Sequence, residues 1–285
     1  MPMIQLRGAQ IRYEVLGQSG PWVALTPGGR RGHDEVLSIA EVVAAAGHRV
    51  LVHDRRNCGA SSLLLEAPAG EAEHEVWADD QQALLEHLGA ESAVIGGSSS
   101  GCRLSISHAL RHPRRVRALL LWKVTGGAFA ARRLASKYYG EYLDAARAGG
   151  MAAVCATPHF SACLAAQPDG GVAERARLMA FPPDRFAASF ERWHQGFLDD
   201  ADLPVLGASA AQLGSIGVPA LVVPGDDNTH PQTAGEALAR LLGQGRLEVM
   251  FPEHQDVDVA DEGPWIARER EIAARFVEFL GQALR

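Results

Sequence analysis

The sequence predicts an α/β protein with a mostly parallel central sheet, helices on both of its faces and one helical insertion. Three observations predict it. After Thr26, short strand-like runs and segments of helical period alternate, the order expected of right-handed βαβ units. The runs at 118–122 and 220–223 are continuously apolar, as strands covered on both faces are. Between about 126 and 213 no strand can be read, and Ala, Arg and aromatic residues recur at helical spacing.

Taken in order, strands over 4–6 and 11–15, separated by 7–10, read as a β-hairpin. A third strand over 22–25 runs into the breaker cluster Thr26-Pro27-Gly28-Gly29. The pattern then predicts helix 33–46, strand 50–53, helix 75–88, strand 92–95, helix 101–112 and strand 116–122. After the insertion it resumes with strand 218–223, helix 232–242, strand 247–251 and a last helix over 265–283. The chain therefore divides into a core domain, 1–125 and 214–285, and a helical cap inserted at 126–213. No internal repeat is present.

Composition narrows the function classes. The 285 residues carry a net charge of −7 with no long block of like charge, so no face for nucleic acid is expected, because neutralising phosphates needs clustered cations. No apolar run approaches the roughly 18 residues of a membrane span, and the first residues lack a secretory pattern. The expectation is a cytoplasmic protein without a membrane partner, acting on a small molecule, its oligomeric state left open with a homodimer as one option. Cys58, Cys102, Cys155 and Cys163 lack C-x-x-C spacing, and no His-rich ligand cluster occurs, so neither a disulfide framework nor a metal is expected.

The sharpest chemical signal is Gly97-Ser98-Ser99-Ser100-Gly101 between a strand and a helix. This is G-x-S-x-G in the setting that makes it meaningful. A nucleophilic serine on a sharp turn needs glycines two residues to either side, because a Cβ there would collide with the crowded backbone. Ser99 is the candidate nucleophile, and the backbone N–H of Ser100, at a helix N-terminus, is placed to stabilise an oxyanion. A serine hydroxyl needs a base, and the base an orienting acid. His254, just past the last strand, is the expected base. Asp226 and Asp227 follow the preceding strand, and Asp227 is preferred as the acid. The chain order Ser, Asp, His is the one expected of such an elbow.

These residues resemble the α/β-hydrolase family, in its branch with a helical cap, over nearly the whole chain outside the insertion. Leu25-Thr-Pro-Gly-Gly29 resembles the family's oxyanion loop, and Asp54-Arg-Arg-Asn-Cys-Gly-Ala-Ser61 its D-x-R-G-x-G-x-S segment. His112-Pro113 resembles the H-P that ends the helix after the elbow, and the stretch from Gly225 to Pro231 the acid loop. Pro27, Asn57 and Cys102 depart from the usual His, Gly and Gly, and the acid loop is one residue short. The resemblance implies an acyl-enzyme mechanism: Ser99 attacks, His254 takes its proton, the N–H groups of Gly29 and Ser100 hold the oxyanion, and no cofactor is needed.

Eleven of the 18 aromatic residues fall between Trp122 and Phe197. A cap lined by Trp122, Tyr138, Tyr139, Phe190 and Trp193 would favour an apolar or aromatic ester, thioester or lactone, and Arg30 could meet a substrate carboxylate. The alternatives are a C–C bond hydrolase, a cofactor-free oxygenase or perhydrolase on the same fold, and a non-catalytic small-molecule receptor, since fold alone does not choose among them.

Overall fold

A computed structural model describes residues 2–66, 70–252 and 257–285. Its strands are β1 (Met3–Leu6), β2 (Ala9–Leu16), β3 (Trp22–Thr26), β4 (Arg49–His53), β5 (Ala93–Ser98), β6 (Val116–Trp122), β7 (Pro219–Val223) and β8 (Gln244–Leu247). They form one sheet in the order β1-β2-β4-β3-β5-β6-β7-β8. β2 is antiparallel to β1 and β4, and the pairings from β4 through β8 are parallel. The β1–β2 hairpin turns on Arg7 and Gly8, at φ 47° and 78°, the positive values that a two-residue turn matched to strand twist requires.

Strand periodicity sorts the core into two layers. Trp22 and Ala24 of β3, Leu119 and Leu121 of β6, and Ala220 and Val222 of β7 point to one face. There they meet α2 (Glu73–His87), α3 (Ser100–Arg111) and α10 (Gln232–Leu241) through Leu84, Ile106 and Leu238. Val23, Leu25, Leu120, Leu221 and Val223 point to the other, against α1 (Leu37–Ala45) and α12 (Glu269–Ala283) through Ile39, Val43, Ile272 and Phe276. Each fully buried Val, Leu or Ile contributes roughly 1.5–3 kcal/mol, so these two layers hold the sheet edge that carries the site.

Between β6 and β7 run α4 (Gly127–Ala135), a π-helical turn Ser136–Gly140, α5 (Glu141–Ala156), α6 (Pro158–Ala165), α7 (Val172–Met179), α8 (Pro183–Asp199) and α9 (Ala210–Gly214). The apolar faces of α4 through α8 close on a third cluster that contains Tyr139, Phe160, Phe186 and Phe190, with Leu63 and Leu65 reaching in from the loop after β4, while Leu213 of α9 joins the first layer. No helix among the described residues is long and apolar enough to cross a membrane.

One strand lies elsewhere than the hydrophobic pattern predicts. The expectation was a strand over 247–251, whereas β8 spans Gln244–Leu247, and only the N–H of Glu248, on Val222 O at 2.9 Å, extends the ladder. β8 is an edge strand with mostly exposed side chains, so apolar density is not what places it. Phe251 lies beyond it, stacked on Trp265 of α11 (Gly263–Ala267) at 3.9 Å.

Candidate active site

β5 delivers the chain to Ser99 and α3 takes it away, and between them Ser99 holds φ 52° and ψ −110°. A non-glycine residue in such a conformation costs on the order of 1–3 kcal/mol and persists only where its surroundings over-determine it. Here they do. The N–H of Ser99 donates to Trp122 O at 3.0 Å, and Ser99 O accepts from Cys102 N at 2.9 Å. A Cβ on Gly97 would lie 2.4 Å from the Gly101 carbonyl, and one on Gly101 would lie 2.4 Å from Thr26 O. Gly101→Ala must push the β3 loop off the elbow, and a loss of about 1–3 kcal/mol in denaturant unfolding is expected, as for overpacking. Unaltered stability would show that the loop has room to yield.

The loop after β3 is clamped to the elbow by Arg55. Its Nη1 donates to Ser100 Oγ at 2.8 Å and its Nη2 to Gly29 O at 2.8 Å, while the Ser100 hydroxyl also donates to Gly29 O at 2.7 Å. The Gly29 carbonyl thus accepts from both Arg55 and Ser100. A Cβ on Gly28 would sit 3.4 Å from that of Ser99, so this backbone borders the Ser99 side chain. The departures from the family pattern have local explanations. Asn57 stands at φ 65°, a region that Asn tolerates better than other side chains, and its amide donates to Glu73 while its carbonyl accepts from Leu64 N at 2.6 Å. Cys102 is buried with Sγ 3.0 Å from both Gly97 O and Trp122 O.

The imidazole against Ser99 belongs to His230, with Nε2 2.9 Å from Ser99 Oγ and Nδ1 2.9 Å from Asp227 Oδ1. With the ring proton on Nδ1 and donated to Asp227, Nε2 is left as an acceptor for the serine hydroxyl. His254, the base expected from sequence, lies outside the described residues. The acid loop folds about Asp227. Its Oδ1 accepts from the N–H groups of Thr229 at 2.9 Å and His230 at 2.7 Å, and its Oδ2 from Ala260 N at 2.8 Å. Asp226 turns the other way and accepts from the Trp265 indole at 3.0 Å. The signal for His230 in the sequence was its place three residues after Asp227, where an aspartate that closes a turn on its own side chain brings the following ring back onto the same carboxylate.

Burial pushes the Asp227 carboxyl up, but hydrogen bonds and charge from His230, with the N–H of Ala260, more than offset this and hold it at about 2, against an ordinary 3.8. A carboxyl held low in the fold contributes stability that is complete above its ordinary value and is lost as the pH falls from 3.8 toward 2. Over that interval the thermal midpoint is expected to fall more steeply in the wild type than in Asp227→Asn. Parallel curves would show that these bonds do not hold the carboxylate.

The structure separates the residues expected to line a substrate pocket. A crevice of about 70 Å³ at Ser99 and His230 is lined by Tyr138, Leu134, Gly28, Gly29 and a set of charged side chains, Arg31, Glu35, Lys123, Arg133, Lys137 and Glu262. Trp122 is corrected to the sheet core, on Phe276 at 5.3 Å. Phe190 is corrected to the interior of the helical insertion, stacked on Phe186 at 4.1 Å. Tyr139 and Trp193 line a different cavity of about 350 Å³, with Tyr139 donating to Glu73 at 2.7 Å and Trp193 to Glu71 O at 3.1 Å. Arg30 is committed to a bidentate pair with Glu73 at 2.9 and 2.8 Å. The aromatic density of the insertion is used mainly to build its own core. The charged ring went unread because its members come from four separate parts of the chain.

The family model for the alpha/beta hydrolase fold matches residues 21–270. The uncharacterized hydrolase YraK of Bacillus subtilis (strain 168) is 32% identical over 117 residues, 41% of this chain and 42% of that protein. A 2-hydroxymuconate semialdehyde hydrolase of Pseudomonas sp. (strain CF600) is 35% identical over 86 residues, 30% of this chain and 29% of that one. These alignments span well under half the length of the curated relatives. A thermophilic esterase from Thermogutta terrifontis superposes with a TM-score of 0.64 at 21% identity, covering 99% of this chain and 97% of that one. The enol-lactonase of Burkholderia xenovorans LB400 superposes with a TM-score of 0.59 at 21% identity, covering 98% and 100%. Identities this low speak to the fold alone, but the family match runs from β3 into α12 and includes the elbow, the acid loop and the strands that present them, and the chain belongs to the alpha/beta hydrolase family.

Proposed function

We propose that this chain is a serine hydrolase cleaving small carboxylic esters, thioesters or lactones through an acyl-enzyme, with Ser99, His230 and Asp227 as its triad. The observation that carries this reading is the unbroken line of contacts from Ser99 Oγ to His230 Nε2 and from His230 Nδ1 to Asp227, each 2.9 Å, on a strained strand-to-helix turn. Ser99 Oγ bonds to the carbonyl carbon as its proton passes to His230 Nε2, and the carbonyl electron pair moves onto oxygen. The backbone N–H groups of Ser100 and Gly29 receive that oxyanion. Collapse of the adduct breaks the bond to the leaving group, which departs with the proton from His230. Water then adds to the acyl-enzyme by the same route, releasing the carboxylic acid and restoring Ser99. Asp227 keeps the ring in the required tautomer and stabilises the imidazolium.

The crevice of about 70 Å³ favours a short acyl group over the aromatic one that the aromatic content of 122–197 suggested. The test is a series of p-nitrophenyl esters of graded acyl length, with a fluorophosphonate label mapped by mass spectrometry. Turnover that peaks at short acyl chains and a label on Ser99 support the reading. No turnover of any ester, with cleavage of a ring-opened dienoate instead, would replace it with C–C hydrolysis, the chemistry implied by the name of the Pseudomonas relative.

A further inference from the structure

We propose that the substrate carries a carboxylate and that Arg133 and Lys137 recognise it at the Ser99 crevice, an inference that rests on the serine hydrolase reading and narrows its substrate class. The chain as a whole is acidic, at −7, yet Arg31, Lys123, Arg133 and Lys137 line this crevice against only Glu35 and Glu262. Both acids are already engaged. Arg31 lies 3.2 Å from Glu35 and 3.2 Å from Glu262, and Lys123 Nζ donates to Glu262 at 2.6 Å. Arg31 and Lys123 therefore close a neutral network with their two carboxylates. Arg133 and Lys137 are left without an ion-pair partner among the described residues.

Their position suits recognition of an anion that enters from solvent. They stand four residues apart at the junction of α4 and the π-helical turn, with Arg133 half-buried and Lys137 exposed. Both line the crevice and also an adjoining open depression of about 510 Å³. Arg132, Glu141 and Asp258 share that depression, so three cations face two acids there against four facing two in the crevice, and the larger cationic surplus lies on the crevice side. Leu134 and Tyr138, each directly after one of the two cations in sequence, supply apolar surface in the crevice. This arrangement fits a short carbon chain that places an ester carbonyl at Ser99 and a carboxylate at the cations. Arg30, the residue expected from sequence to take that carboxylate, has both its terminal nitrogens on Glu73.

The experiment compares matched esters of one length: p-nitrophenyl hydrogen glutarate against p-nitrophenyl valerate for a carboxylate on the acyl side, and carboxyphenyl butyrate against phenyl butyrate for one on the leaving side. The wild type should favour the anionic member of at least one pair in kcat/KM. The Arg133→Glu/Lys137→Glu double variant should lower that preference by about tenfold or more, the scale of one to two exposed charge contacts, and high salt should erode the wild-type preference through screening. No preference in either pair, or a preference that survives charge reversal with the thermal midpoint intact, would overturn the proposal. The same esters are titrated calorimetrically into Ser99→Ala, where binding is read without turnover. A charge-dependent binding preference, with a wild type that cleaves none of these esters, would defeat the hydrolase reading and leave the anion site standing. Equal binding of charged and neutral esters would defeat the anion site alone.

Discussion

Ser99→Ala is expected to lower ester turnover by a factor on the order of 10³ or more, in line with loss of a triad nucleophile, and to abolish fluorophosphonate labelling, with the fold unchanged. The size of the effect follows from what the hydroxyl does alone: it forms the bond to carbon, and no neighbouring serine can replace it. Ser100 Oγ is tied to Gly29 O and Arg55. Ser98, which ends β5 and also lines the crevice, has no imidazole on its hydroxyl among the described residues. Alanine at position 99 keeps the backbone bonds to Trp122 O and from Cys102 N, and the strain of φ 52° is already borne by the wild type, so the thermal midpoint should barely move. A label recovered on Ser98 or Ser100 would shift the register of the elbow. Turnover within a few-fold of wild type would remove Ser99 from the chemistry.

The parts of the fold that were legible in the sequence are those whose physics is local. The buried strands β3, β6 and β7 announce themselves because parallel strands covered on both faces are apolar at successive positions, and Gly97 and Gly101 because only glycine fits between β5, α3 and the β3 loop. β8 was displaced by three residues because its backbone is fixed by the ladder to β7 and not by side-chain burial. The aromatic residues of 122–197 were legible as a cluster but not as a destination. Composition shows that Phe190 and Trp122 will be buried, and only the packing shows that one faces Phe186 and the other Phe276.

The site divides along the same line. Ser99 carries its own steric signature. Asp226 and Asp227 are neighbours of one residue type in the sequence, and the structure adds the physical distinction: one carboxylate meets an imidazole and two turn N–H groups, the other an indole. The ring of Arg31, Glu35, Lys123, Arg133, Lys137 and Glu262 is a product of tertiary closure. No spacing rule joins Glu35 to Glu262 across that length of chain.

The second large effect separates two histidines. His230→Ala is expected to lower kcat/KM for esters by a factor on the order of 10³ or more and to abolish labelling of Ser99, while His254→Ala leaves appreciable activity. The geometric reason is that His230 alone among the described histidines places a ring nitrogen on Ser99 Oγ, and its other nitrogen is fixed by a carboxylate held at about 2 through its interactions with His230 and the Ala260 N–H. Loss of the ring leaves the serine without an acceptor for its proton, a loss felt in kcat more than in KM. A purely structural His230 would behave differently. The loop would loosen, the thermal midpoint would fall, and added imidazole would restore nothing. If His230 is the base, free imidazole that diffuses into the vacated space should recover part of the turnover of His230→Ala, with a pH dependence that follows the added base. The reverse pattern, with His254→Ala inactive and His230→Ala active, would assign proton transfer to the histidine after the last strand. The contact between His230 and Ser99 would then serve to pack the acid loop against the elbow.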